Sequence, residues 1–171
     1  MQECNDPAAA QIEMNARKKA EDVIQKLKDA SVTLALAESC TAGMISSLLA
    51  RIPGASNYLW GCFVCYTQEA KVKMLDLDND RLCEYGLVSR ETACGMAQGA
   101  LKKSDADYAA SVTGLAGPGG DDRNPAGTVW IAAAAKGKDT QAQEYHFSGS
   151  RNEVRVQAAD AVLELILKRL T

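Results

Sequence analysis

One pattern in the chain restricts its fold more than any other. Ser31 to Ala37 reads Ser-Val-Thr-Leu-Ala-Leu-Ala, an apolar run short enough for a buried strand. It stops abruptly at Glu38-Ser39-Cys40-Thr41-Ala42-Gly43, after which Met44, Ile45, Leu48 and Leu49 recur at helical spacing. Strand, polar turn and helix thus follow one another within twenty residues, as in layered α/β folds. Tyr108 to Val112 repeats the theme, since this apolar run opens into the glycine-rich Thr113-Gly114-Leu115-Ala116-Gly117-Pro118-Gly119-Gly120.

The remaining segments fill in the frame. Residues 1–11 show no amphipathic period and are expected to form a loose tail, leaving 12–171 as one domain. From about Ile12 to Ala30, the residues Ala16, Ala20, Val23, Ile24 and Leu27 mark one apolar helical face. Tyr58 to Thr67 reads as a strand leading into a short helix that carries Lys71, and Asp80 to Tyr85 as another short helix stopped by Gly86. Ser89 is placed to cap a helix with Ala93, Met96, Ala97, Ala100 and Leu101 inward. The polar segment 119–125 reads as a mobile loop. Gly127 to Ala135 and Gln141 to Phe147 form a hairpin joined through 136–139, and Ser150-Arg151-Asn152-Glu153 is a capping box opening the last helix. The predicted fold is an α/β/α sandwich of three layers, with a mixed, mostly parallel sheet ending in an antiparallel hairpin.

Several function classes drop out on composition. At 171 residues with 47% apolar content, the chain can bury an ordinary single core. No apolar run approaches the roughly 20 residues of a membrane span, and the N-terminus lacks a secretion signal, so a cytoplasmic protein is expected. A net charge of −3 and 5% aromatics disfavour nucleic-acid binding. The six cysteines do not pair into metal knuckles, and His146 is the lone histidine, so no metal site is expected. Cys62-Phe63-Val64-Cys65 lies within a strand pattern whose alternation sends the two sulfurs to opposite faces, unlike a redox pair at a helix start.

Three places break the packing pattern, all after strands, where open α/β sheets hold ligands. Glu38 to Gly43 offers Ser39, Cys40 and Thr41 as nucleophiles beside helix-start amides able to stabilise an oxyanion. On pattern alone, a plain cap with Thr41 as capping residue is the better reading. Lys71 in Tyr66-Thr67-Gln68-Glu69-Ala70-Lys71 reads as a surface lysine unless burial lowers its pKa enough to make it a base. Thr113 to Gly120 is neither a P-loop nor a dinucleotide fingerprint, but its backbone can approach an anion. Arg151 in a helix first turn is disfavoured by the dipole unless a bound phosphate, or a neighbouring Asp or Glu, compensates.

Taken together, AESCTAG (37–43), YTQEAK (66–71), SVTGLAGPGG (111–120), PAGTVW (125–130) and FSGSR (147–151) resemble the CinA carboxy-terminal domain family. Its members include nicotinamide-nucleotide amidases. The likeness runs from about residue 12 to the C-terminus, and the amino-terminal domain of longer members has no counterpart, as in a stand-alone form. The resemblance implies hydrolysis of nicotinamide mononucleotide to nicotinic acid mononucleotide and ammonia, without cofactor. It assigns Ser39 as nucleophile, Lys71 as general base and Tyr66 as an orienting or relaying group. Around them, Cys40, Thr41, Ala42, Gly43, Thr113, Gly114, Gly117 and Arg151 would hold the substrate, the last toward its phosphate. Two positions depart from the family pattern: Ala42, where ESCTGG is usual, and Gln68, where Asn is common. Ala42 matters if that backbone needs a positive φ. A non-catalytic nucleotide-binding module and an amidase for another small amide are the alternatives; a homo-oligomer is the expectation for small enzymes of this kind.

Overall fold

The computed structural model describes the backbone of residues 7–170 and the side chains of 11–170. Its elements in order are α1 (Pro7–Ala30), β1 (Leu34–Glu38), α2 (Met44–Ala50), β2 (Leu59–Val64), α3 (Gln68–Leu75), α4 (Asn79–Tyr85), α5 (Arg90–Ser104), β3 (Tyr108–Gly114), β4 (Thr128–Ala135), β5 (Lys138–His146) and α6 (Arg151–Arg169). A short 3-10 turn, Ala55–Asn57, precedes β2. The five strands form one sheet in the order β2-β1-β3-β4-β5. β1 pairs in parallel with β2 and β3, whereas β3–β4 and β4–β5 are antiparallel, so β4 alone runs against the other strands. The expected mixed α/β sandwich with its closing hairpin is the fold observed.

Strand alternation divides the core into two unequal layers. Leu34 and Leu36 of β1, Val112 of β3, and Val129 and Ile131 of β4 join α1, α2 and α6 on one face. The intervening residues are small: Ala35, Ala37 and Ala109 meet Met96 and Ala100 of α5, and Ala132 and Ala134 meet Ala93 and Ala97. Small side chains on both sides let α5 lie close to the sheet, and Ser111 Oγ donates across that gap to Ala93 O at 2.6 Å. On the opposite face, Lys19 of α1 ties to Asp160 and Glu164 of α6 at 2.9 and 3.1 Å.

Three local expectations change. Helix α1 begins at Pro7, so a loose tail through residue 11 does not hold for 7–11; residues 1–6 lie outside the described residues. Proline fits the first helical turn, and Ala8 to Ala10 are strong helix formers that carry no amphipathic signal. The hairpin is tighter than read, because Lys138 to Thr140 already belong to β5 and the turn is Lys136-Gly137, with Gly137 at φ +70°. Segment 119–125 is tethered rather than free: Arg123 Nη1 donates to Glu84 O at 2.6 Å and Asn124 Nδ2 to Val88 O at 3.2 Å. Gln68 faces α4, its Nε2 donating to Asn79 Oδ1 at 2.9 Å.

The strand order has a consequence for function. From β1 the chain passes to β2 on one side, then to β3 on the other. The crevice at the carboxyl end of β1 is therefore the topological switch point where such sheets bind ligands. Among the described residues, no helix is long and apolar enough to cross a membrane.

Candidate active site

At that switch point, Ser39 leaves the end of β1, its amide donating to Val112 O of β3 at 3.0 Å. Lys71 enters from the first turns of α3, a helix positioned by the Thr67 cap, whose Oγ1 accepts from Ala70 N at 3.1 Å. Lys71 is only 1% exposed and Ser39 only 7%. The lysine Nζ lies 2.9 Å from Ser39 Oγ and donates to Cys65 O at 2.8 Å. Among the described residues, it has no carboxylate partner within ion-pairing distance. Burial lowers the Lys71 pKa from its usual 10.5, only partly opposed by the neighbouring Cys65 and Cys40 thiols. A buried amine without a counter-ion, in contact with a hydroxyl, has the makings of a general base.

The turn that carries Ser39 is held by Glu38, a residue whose role the sequence reading missed. Its carboxylate is 0% exposed. Oε2 accepts from Thr41 Oγ1 at 2.7 Å, Gly43 N at 2.9 Å and Ile45 N at 3.3 Å; Oε1 accepts from Ser46 N at 2.8 Å. One side chain therefore gathers the amides at the start of α2, which explains how an ionisable group can be buried there. Thr41 is not the cap: the N-cap is Gly43, with no side-chain cap bond, and Thr41 points inward to Glu38. A glutamate at the last position of an otherwise apolar strand was the available signal.

Glu38 also changes which amides can serve an oxyanion. Gly43 N–H is engaged by Glu38, Ala42 N–H by Ser39 O at 3.0 Å, and Met44 N–H by Thr41 O at 3.2 Å. The N–H groups of Cys40 and Thr41 take no part in this network. Ala42 has φ +51° and Gly43 φ +91°, so the turn needs two left-handed residues in succession and places an alanine at the first. Cys40, the rival nucleophile, is buried, and that burial pushes its thiol up to about 11, which keeps it protonated at neutral pH. Cys62 and Cys65 pack into different core layers, as their alternation predicts.

Of the other predicted residues, Arg151, Tyr66 and Gly117 gather at an outer rim. Arg151 Nη1 donates to Gly117 O at 2.7 Å and Nη2 donates to the hydroxyl of Tyr66. Tyr66 is 51% exposed, and its hydroxyl is bonded to Arg151 rather than to Ser39 or Lys71. The protein contacts of Arg151 are thus a carbonyl and a phenol. Thr113 departs from expectation, being 1% exposed with its Oγ1 donating to Leu87 O at 2.7 Å, so it fixes the end of β3 instead of facing open space. Gly114 permits close strand contact, since a Cβ there would lie 2.8 Å from Thr128 O. A cavity of about 500 Å³ between the α3–α4 connection and α5 includes none of these residues. Among the described residues, no group of three or more His, Cys, Asp or Glu side chains is arranged to hold a metal.

Known proteins share this architecture. The crystal structure of competence/damage inducible protein CihA from Agrobacterium tumefaciens superposes with a TM-score of 0.87 at 36% identity, covering 91% of this chain and 95% of that one. A CinA superfamily protein from Escherichia coli gives 0.87 at 33% identity, covering 90% of each chain. A CinA-like protein of Thermotoga neapolitana is 41% identical over 158 residues, 92% of this chain but 38% of that protein. One from Endomicrobium trichonymphae is 43% identical over 139 residues, or 81% and 32%. The chain thus spans about a third of the length of these curated relatives. The family model of the CinA C-terminal domain matches residues 16–170, and this chain belongs to that family.

Proposed function

We propose that this chain hydrolyses the carboxamide of nicotinamide mononucleotide to the acid and ammonia through a Ser39 acyl-enzyme. The observation that carries the proposal is the buried Lys71 amine, 2.9 Å from Ser39 Oγ and, among the described residues, without a carboxylate in ion-pairing range. Neutral Lys71 takes the Ser39 proton as Oγ attacks the amide carbon. The same proton then passes to the departing nitrogen, which leaves as ammonia. Water, deprotonated by Lys71, attacks the acyl-enzyme, and the acid is released with Ser39 reprotonated. The N–H groups of Cys40 and Thr41 are the donors left to receive the oxyanion. Arg151, with the exposed Tyr66 and the Gly117 carbonyl around it, forms the anchor for the ribose phosphate. Tyr66 then serves at the phosphate end of the site, not as a proton relay.

The test is ammonia release from nicotinamide mononucleotide in the presence of EDTA, with Ser39→Ala alongside. Release by the wild type and a loss of roughly 10³-fold or more in the folded variant is the expected result. Turnover of the variant at near wild-type rate would remove Ser39 from the reaction.

A further inference from the structure

Arg155 lies one helical turn beyond Arg151 on α6, yet its guanidinium turns away from the rim. Its Nε donates to Cys40 O at 3.1 Å and its Nη2 to Thr41 O at 2.9 Å, while Nη1 donates to Asn152 Oδ1 at 3.3 Å. A cation more than a hundred residues away in sequence thus grips two successive carbonyls immediately after the nucleophile.

In a trans peptide the carbonyl and the N–H of one unit point in opposite directions. Fixing Cys40 O therefore fixes the direction of Thr41 N–H. The preceding unit is fixed locally, because Ser39 O accepts from Ala42 N at 3.0 Å and so sets Cys40 N–H. Of the two amides outside the Glu38 network, one is oriented by the turn itself and the other by Arg155. A positive charge on the carbonyl side also polarises the peptide and strengthens its N–H as a donor.

We infer that Arg155 is a positioning residue for the oxyanion site: by holding Cys40 O and Thr41 O it aims and polarises the Thr41 N–H toward the charge that develops when Ser39 attacks. The inference rests on the acyl-transfer reading of Ser39 proposed above. It predicts a loss in the chemical step and not in substrate affinity, because Arg155 is held by protein groups and Arg151 supplies the anchor. Arg155 borders a cavity of about 380 Å³ shared with Ala42, Gly43, Ser47 and Arg51, so a shorter or uncharged side chain can be accommodated.

The experiment compares wild type, Arg155→Met and Arg155→Lys in the full chain by two readouts, with melting temperature as a check on folding. The first is kcat and KM for ammonia release from nicotinamide mononucleotide. The second is the rate at which diisopropyl fluorophosphate labels Ser39, followed by intact mass. There the Ser39 Oγ–P bond forms, the P–F bond breaks, fluoride leaves, the serine proton goes to Lys71, and a phosphoryl oxygen occupies the oxyanion site. Arg155→Met is expected to lower both kcat and labelling by roughly 10- to 10³-fold, up to the loss seen when one oxyanion donor is removed outright. KM should stay within about threefold, and Arg155→Lys, able to hold one carbonyl, should fall between the two. If the methionine variant does not fold, the lysine variant carries the same comparison. Labelling of wild-type Ser39 without ammonia release would defeat the substrate reading alone, and the labelling rates would still decide the role of Arg155. Rates within about twofold of wild type, or a rise in KM at constant kcat, would overturn the inference. Absence of both labelling and turnover in the wild type would overturn it together with the acyl-transfer reading.

Discussion

At the inner end of the site, Ser39, Lys71 and Glu38 are buried, and each is bonded to groups supplied by the fold itself. At the outer end, Arg151 and Tyr66 meet at the surface with the Gly117 carbonyl, through contacts that water or a ligand anion can replace. The inner groups sit in a low-dielectric setting, where a charge or an orientation has large effects on a barrier. The outer groups keep their solvation and lose little when one partner is exchanged for another. On the proposed function, chemistry falls to the buried groups and substrate capture to the exposed ones.

The largest effect that sharpens this contrast belongs to Lys71. Lys71→Met should lower kcat by roughly 10³-fold while raising stability, since it removes an amine whose protonated form is costly to bury. The sign follows from linkage. Because folding depresses the Lys71 pKa, the unfolded chain binds more protons between that value and 10.5. Wild-type stability from this group therefore rises with pH through the window, and the advantage of Lys71→Met is greatest below it and gone above 10.5. Urea titrations at several pH values measure this. Wild-type kcat/KM should rise with pH through the same lowered pKa. A profile flat through the acid limb would break the assignment of Lys71 as base.

Arg151→Ala belongs to the outer end. It should raise KM for the phosphorylated substrate by roughly 10- to 100-fold with kcat changed far less, and leave any turnover of nicotinamide untouched. Equal damage to both substrates would place Arg151 with the inner groups and erase the distinction. Cys40→Ala is expected to keep activity within about threefold, because the thiol is protonated and only its backbone is used. Loss of activity there alone would reverse the choice of nucleophile.

The smallest change concerns the turn between the two ends. Ala42 at φ +51° carries a left-handed conformation that glycine adopts without a Cβ penalty. Ala42→Gly should stabilise the chain by about 0.5–1 kcal/mol, read as a shift in the urea midpoint at unchanged slope. A lower midpoint would show that the alanine methyl contributes more through packing than the backbone strain costs.

Periodicity was enough to place the sheet and its helices. The apolar run before Glu38, the stripe of α1 and the capping box of α6 all reappear where their spacing puts them, because one face of each element must be buried. The start of α1 escaped, because an alanine run has helix propensity but no amphipathic face. Ser39 and Lys71 stood out only through their family motifs, since by pattern alone one resembled turn filler and the other a surface lysine.

What the sequence determined by itself, then, was the order of elements, the buried faces and the motifs at the strand ends, all properties of neighbours along the chain. Tertiary structure decided which side chains share a space. Lys71 is buried where α3 packs against β2 and α5, and its lowered pKa follows from that burial. Thr113 turns inward to donate to Leu87 O, and Arg155 reaches the nucleophile turn across a separation of more than a hundred residues. Desolvation and hydrogen-bond partnership depend on distance in space, and no spacing along a chain encodes them.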